Sequence, residues 1–266
     1  MLEIKEFVNT YKNYYKQFIA NFEEPIKIAI MQVGHIPASD RYVRNKIKDC
    51  ESVGIACMLI NLGDTPTTEY VIDVVKQLND DESITGYILQ LPIPDSLDLK
   101  KIKSYFNPEK DIDGFCENAY VYPATPVGIM SYLKGCSYQF EGKNAVVIGR
   151  SDIVGKPMAK MLLDANCTVT ICHSKTKNLK QYTKLADLVI VATGHRNTIV
   201  PGMTKKNAVI IDVGINFDEE GKMCGDVSKE LIQGKDYEFL SPVPGGVGLL
   251  TRLAVIINTL SLFLLK

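Results

Sequence analysis

Ala145-Val146-Val147-Ile148-Gly149-Arg150-Ser151-Asp152-Ile153-Val154-Gly155-Lys156-Pro157 is an apolar strand that runs through a glycine-bearing turn into a helix ending near Asp164. This order opens a nucleotide-binding βαβ unit. Glycine lets the backbone turn tightly, and the helix N-terminus offers free N–H groups to phosphate. The usual G-x-G-x-x-G is absent, because the two glycines stand six apart with none between them. As a bare motif the turn reads equally well as a tight connection that binds nothing.

Outward from that stretch, Thr168–Cys172, Leu188–Ala192 and Ala208–Val213 are nearly unbroken apolar runs, as parallel strands buried on both faces should be. A short strand, Phe239-Leu240-Ser241, follows. Upstream, residues 2–19 carry apolar side chains at helical spacing. Strands over Pro25–Met31, Ile55–Ile60 and Ile84–Gln90 alternate with helices over Ala38–Ser52 and Pro66–Leu78, the latter with Thr65 as N-cap and Pro66 at its first position. Thr125–Leu133 reads as a further helix with Thr125 as N-cap, and Thr251–Leu265 as the last one. Strands alternating with helices predict parallel sheets covered by helices. The expected architecture is two α/β domains: residues 1–125 plus 251–266, and a Rossmann-type domain over 126–250.

Composition narrows the function. Lys and Arg total 30 against 31 Asp and Glu, a net charge of −1, which disfavours a protein held to nucleic acid by charge. The C-terminal apolar run is too short and too polar for a membrane span. No basic-then-apolar leader is visible at Met1-Leu2-Glu3-Ile4-Lys5-Glu6. The seven cysteines and three histidines are scattered, with no CxxC pair, so neither a metal site nor a disulfide framework is expected.

Two regions carry the chemistry. In the second domain the strand after the glycine turn ends Ile171-Cys172-His173-Ser174-Lys175-Thr176, without the acid that an NAD-preferring domain places there. Arg150, Ser174 and Lys175 offer cationic and hydroxyl donors instead, which favours the extra phosphate of NADP; a merely solvated lysine loop is the plain alternative. In the first domain Tyr42 and Lys46 stand at i and i+4, on one helix face. Alone, such a pair is more often surface decoration. Gln90 ends a strand, where ligands of open α/β sheets gather. Asp113 lies in Pro108-Glu109-Lys110-Asp111-Ile112-Asp113-Gly114, and Pro242-Val243-Pro244-Gly245-Gly246-Val247-Gly248 is glycine-dense, a backbone suited to close approach.

Taken together in chain order, these segments resemble the bifunctional methylenetetrahydrofolate dehydrogenase/methenyltetrahydrofolate cyclohydrolase (FolD) family. Gly86-Tyr87-Ile88-Leu89-Gln90-Leu91-Pro92, Ile211-Asp212-Val213-Gly214-Ile215-Asn216 and Gly225-Asp226-Val227 add to the match, which spans most of the chain. The resemblance implies two reactions in a cleft between the domains. NADP-dependent oxidation of 5,10-methylenetetrahydrofolate comes first, and hydrolysis of the methenyl product to 10-formyltetrahydrofolate follows. It implies Lys46 as catalytic lysine, Tyr42 as the ring packed on folate, Gln90 as the partner holding the lysine and Asp113 as a contact at the pterin end. Pro244, Gly245 and Gly246 join Tyr42 and Asp113 on the substrate. Gly149, Arg150, Ser151 and Ser174 match contacts on the adenosine phosphate side of NADP, and Thr193, Gly194 and Ile215 contacts nearer the nicotinamide.

The family further implies a cytoplasmic homodimer that uses tetrahydrofolate one-carbon derivatives, contributes to purine biosynthesis, and has no nucleic-acid or membrane partner. Two positions depart from its pattern: Ala124 stands where Cys is usual before Thr-Pro, and Leu249-Leu250 where Pro-Met is usual before Thr. A dehydrogenase without cyclohydrolase activity, or a non-catalytic folate or nucleotide sensor, are the competing readings. Retention of Lys46 and Gln90 argues against the first, and a sensor has no need for Lys46, Gln90 and Asp113 together.

Overall fold

The computed structural model describes residues 1–35 and 37–265, and it divides into two compact units. One comprises Asn9–Ala124 and Arg252–Lys266; the other comprises Met1–Val8 and Thr125–Thr251.

The first unit holds a parallel sheet of three strands, with Lys27–Gln32 between Ala56–Asn61 and Gly86–Leu89, so we call it the three-stranded unit. Its elements follow α1 (Ile4–Ile19), most of which belongs here: β1 (Lys27–Gln32), α2 (Pro37–Ser52), β2 (Ala56–Asn61), α3 (Thr68–Asp80), β3 (Gly86–Leu89) and the short α4 (Leu99–Lys103). Ile28, Ala29, Ile30 and Met31 of the central strand are fully buried. One core packs Val71, Ile72, Val75 and Leu78 of α3 against Ala29, Met31, Tyr87 and Leu89 of the sheet. The helix start expected at Pro66 lies two residues later. Thr67, not Thr65, is the cap, because its hydroxyl accepts the backbone N–H of Tyr70 at 3.1 Å.

The second, five-stranded unit continues with α5 (Ala124–Gly135), β4 (Asn144–Ile148), α6 (Gly155–Asp164), β5 (Thr168–Cys172), α7 (Leu179–Thr183), β6 (Leu188–Val191) and β7 (Val209–Asp212). An antiparallel ribbon of β8 (Asn216–Phe217) and β9 (Met223–Cys224), then α8 (Lys229–Gly234), β10 (Phe239–Leu240) and α9 (Val247–Phe263) complete the chain. The sheet order is β10-β7-β6-β4-β5, all parallel. Connections leave β4 in opposite directions, making the doubly wound order 2-1-3-4-5 with its switch point between β4 and β6.

Three expectations change. β5 is an edge strand and not doubly buried: Ile171 is 43% exposed. The helix near residue 125 already includes Ala124, so Thr125 lies inside it, its hydroxyl 3.0 Å from that of Thr251. Residues 1–8 group with the five-stranded unit, not with the first domain as the chain order suggests. Tyr132 supplies the reason: its ring meets Phe7 edge-on at 5.2 Å, and its hydroxyl donates to the Leu2 carbonyl. Among the described residues no helix is long and apolar enough to cross a membrane. No group of three His, Cys, Asp or Glu side chains among them is placed to hold a metal ion.

Candidate active and nucleotide sites

In the three-stranded unit the site is built on the buried stripe of α2. Val43, Lys46 and Cys50 recur at helical spacing, and all are buried. Lys46 is therefore a cation inside an apolar stripe, with 3% of its surface exposed. Burying an ammonium costs several kcal/mol unless partners repay it. Two do so here. The Asp113 carboxylate lies 3.8 Å from Nζ, and the Tyr42 ring centroid lies 5.3 Å away. Lys46, Tyr42 and Asp113 are thus brought together.

The segment carrying Asp113 is tightly held. The Asp111 carboxylate accepts the backbone N–H groups of Phe115 and Cys116 at 2.6 Å each. Burial pushes the Asp111 carboxyl above the usual range despite those bonds. Lys110 donates to the carbonyls of Leu78, Asn79 and Asp81 at the end of α3. The Asn258 amide donates to the Ile112 carbonyl at 2.8 Å. Gly86 makes room for the segment, since a Cβ there would stand 2.6 Å from the Lys110 carbonyl oxygen. None of Lys110, Asp111 and Asn258 stood out in the sequence as site residues.

Gln90 is placed differently from its expected role. Its amide N–H donates to the neighbouring Leu91 carbonyl at 2.6 Å, and it makes no hydrogen bond to Lys46. Its side-chain oxygen is buried without a donor, as is Oδ1 of Asp111. Buried acceptors that the protein's own donors leave open can take a hydrogen bond from water or from a ligand.

In the five-stranded unit, the loops at the C-terminal ends of β4, β5, β6 and β7 hold the expected nucleotide residues. The glycines serve the protein's own packing before any ligand. A Cβ at Gly149 would stand 2.3 Å from the Ala192 carbonyl oxygen, and one at Gly155 would stand 2.3 Å from that of Gly149. Gly149 also has a φ of +129°, which disfavours any side chain. Ser151 closes the turn, its hydroxyl accepting from Val154 and Gly155 at 3.2 and 3.4 Å. Arg150 and Ser174 are exposed, and neither side chain is engaged by another described residue. Beside Ser174, a local turn ties His173 to Thr176, whose hydroxyl accepts the His173 N–H at 2.8 Å.

Thr193 and Gly194 follow β6 and are bound from below by a buried carboxylate, Asp226. Ile215 follows β7 and is 63% exposed. Pro244 and Gly245 are exposed in the turn before α9. Gly246 is buried under the Pro242 carbonyl, which a Cβ would approach to 2.2 Å. Of the two unusual positions, Ala124 and Leu250 are both buried, and a Cβ at Gly128 of α5 would stand 2.3 Å from the Leu250 carbonyl oxygen.

Comparison with known proteins identifies the family. Residues 2–113 match the family model described as tetrahydrofolate dehydrogenase/cyclohydrolase, catalytic domain, and residues 123–266 match that family's NAD(P)-binding domain. A Polaromonas protein named bifunctional protein FolD is 44% identical over 242 residues, spanning 88% of this chain and 86% of that one. The Campylobacter jejuni bifunctional enzyme FolD, a methylenetetrahydrofolate dehydrogenase/cyclohydrolase, superposes with a TM-score of 0.91 at 38% identity, covering 98% of this chain and 96% of that one. The Trypanosoma brucei methylenetetrahydrofolate dehydrogenase-cyclohydrolase, solved with NADP cofactor and an inhibitor, gives a TM-score of 0.91 at 27% identity, covering 99% and 96%.

Proposed function

The chain belongs to the tetrahydrofolate dehydrogenase/cyclohydrolase family, and from that membership we propose how its two units divide the work. The protein is a bifunctional enzyme of folate one-carbon metabolism. It oxidises 5,10-methylenetetrahydrofolate with NADP and hydrolyses the methenyl product to 10-formyltetrahydrofolate. The observation that carries the assignment of chemistry is Lys46, a buried amine flanked by a carboxylate and an aromatic face.

The nucleotide residues fit NADP by the chemistry of their donors. Arg150 and Ser174 stand free beside the glycine turn, no acid ends β5, and a guanidinium grips a phosphate in bidentate fashion. When bound, NADP accepts the hydride that leaves the methylene carbon. The chain's own task in that step is positioning. Thr193, Gly194 and Ile215 are assigned to the nicotinamide end, and Tyr42 to the flat face of the folate.

Hydrolysis asks more of the side chains, because the attacking water must lose a proton. Lys46 is the group assigned to it, either taking that proton or holding the water and the folate by its charge. Asp113 binds the pterin end and keeps Lys46 oriented. The open oxygen of Gln90 is an acceptor for an incoming donor, from folate or from Lys46 once substrate has drawn it off Asp113. Pro244, Gly245 and Gly246 complete the substrate contacts.

We infer also a cytoplasmic homodimer that feeds purine biosynthesis and binds neither nucleic acid nor membrane. Seven cysteines outside any disulfide support the reducing compartment, the near-neutral charge speaks against nucleic acid, and the homodimer rests on the family resemblance. The deciding experiment is a spectrophotometric assay of methylenetetrahydrofolate with NADP and then NAD, followed by hydrolysis of the methenyl compound. Binding of NADP without turnover would leave the sensor reading standing in place of this one.

A further inference from the structure

In the five-stranded unit, Asp212 and Asp226 are fully or almost fully buried, yet neither belongs to the residues assigned to substrate or cofactor. Asp226 accepts at one oxygen from the Thr193 backbone N–H at 2.7 Å, the Thr193 hydroxyl at 2.8 Å and the Gly194 backbone N–H at 3.1 Å. Its other oxygen accepts from the Asn216 amide at 2.8 Å. Asp212 in turn fixes Asp226: its carboxylate accepts the backbone N–H groups of Asp226, Val227 and Gly214 at 2.9, 2.9 and 3.0 Å. The Asp212 N–H donates to Ser241, directly before the Pro242–Gly246 turn. Glycines clear the space. A Cβ at Gly214 would sit 2.1 Å from an Asp226 oxygen, and one at Gly225 would sit 2.0 Å from an Asp212 oxygen.

The result is a chain of hydrogen bonds that ties the loop after β6, the loop after β7, the β8–β9 ribbon and the turn before α9 to two carboxylates. Successive N–H groups at a strand end form a ready anion site. After β6 an internal carboxylate already fills that place, so the N–H groups of Thr193 and Gly194 are taken up within the protein. That loop presents Thr193 and Gly194, the latter at a φ of +67°, and the loop after β7 presents exposed Ile215.

We propose that Asp226, braced by Asp212, is a positioning residue for the dehydrogenase: it holds the Thr193-Gly194 loop and Asn216 beside Ile215 so that they receive the nicotinamide half of NADP. This rests on the assignment of Thr193, Gly194 and Ile215 to that half.

The test separates the two halves of the cofactor. NADP and 2′,5′-ADP, which lacks the nicotinamide, are titrated calorimetrically into the full-length enzyme and its variants. Asp226→Ala strands two backbone donors and a hydroxyl, so NADP affinity should fall about tenfold or more while 2′,5′-ADP stays within about threefold. Asp226→Asn keeps an acceptor for the loop and should recover part of the loss. NADP affinity within about threefold of the parent in Asp226→Ala, or equal losses for both ligands, would overturn the proposal. Should Asp226→Ala fail to fold, Asp226→Asn decides: weakened NADP with unchanged 2′,5′-ADP supports it, and parallel behaviour of the two ligands ends it. If the parent itself binds NADP but not 2′,5′-ADP, the Arg150 assignment falls, and the NADP titrations alone still decide the role of Asp226.

Discussion

The buried polar groups around Lys46 in one unit and around Asp212 and Asp226 in the other are finished to different degrees. Around Asp212 and Asp226 the charged oxygens meet N–H or O–H donors within hydrogen-bond distance. Around Lys46 the partners are loose or missing: the Asp113 carboxylate is 3.8 Å away, and the side-chain oxygen of Gln90 and one of the two Asp111 oxygens have no donor. A saturated network is rigid and suits positioning. An unsaturated one stores unfavourable energy until a ligand completes it. The difference matches the two tasks, since hydride transfer needs a placed cofactor and hydrolysis needs a side chain free to exchange partners.

The largest effect that would break this comparison lies at Lys46. Lys46→Met keeps most of the stem and removes the amine. Methenyl hydrolysis should fall by about 10²–10⁴-fold, while methylene oxidation keeps a measurable fraction. Lys46→Arg should also fail to act as a base, because guanidinium stays protonated. A hydrolysis rate within a few-fold of the parent in Lys46→Met would remove Lys46 from the chemistry. Loss of both activities with folate still bound would make it an orienting charge for both steps.

Asp212 sharpens the other side. Burial is the main reason its carboxyl is pushed up to about 6 from the ordinary 3.8, with the charge of Asp226 adding to it and three N–H groups opposing it. The native state then binds the proton more tightly than the unfolded chain. Stability from this group is complete below about 3.8 and is lost as pH rises through about 6, a change of about 3 kcal/mol at most. Asp212→Asn should flatten the difference in unfolding free energy between pH 4 and pH 7 relative to the parent, measured by urea titration. An unchanged slope would mean that the saturated carboxylate carries no such cost.

Arg150 tests the exposed edge of the nucleotide region. Arg150→Ala should raise the KM for NADP by about tenfold, the worth of a charge-assisted phosphate contact, and move that for NAD little. Equal changes for both cofactors would detach Arg150 from the 2′-phosphate.

The sequence displayed the strand-and-helix alternation clearly, because buried parallel strands such as Leu188–Val191 are continuous apolar runs. The edge strand Thr168–Cys172 differs from such a run only by Thr168 and Thr170 set between apolar residues, a weak cue in five residues, and sheet order is what exposes it. The short pieces α4, α7 and α8 and the β8–β9 ribbon have too few residues to set up a period. Tyr42 and Lys46 were legible as a pair, but the burial of Lys46 was legible only against Val43 and Cys50 on the same stripe. Asp212 and Asp226 stood in recognisable segments, yet fourteen residues separate them, and nothing local reveals that one carboxylate holds the other's backbone.

Gln90 gives the smallest expected effect and the closest test of an unfinished site. Replacing it with Met keeps the volume roughly constant, deletes the oxygen that lacks a donor, and deletes the bond to the Leu91 carbonyl. The lost bond costs about 0.5–1.5 kcal/mol, whereas the relieved burial of an unpaired polar group returns about 1–3 kcal/mol. The terms nearly cancel with a small surplus, so Gln90→Met should leave stability unchanged or raise it by about 1 kcal/mol in urea titration while hydrolysis weakens. That pairing of lower activity with undiminished stability is what a residue kept for function produces. A clear destabilisation would show that the bond to Leu91 is its main role, and the open oxygen would then no longer count as prepared for substrate.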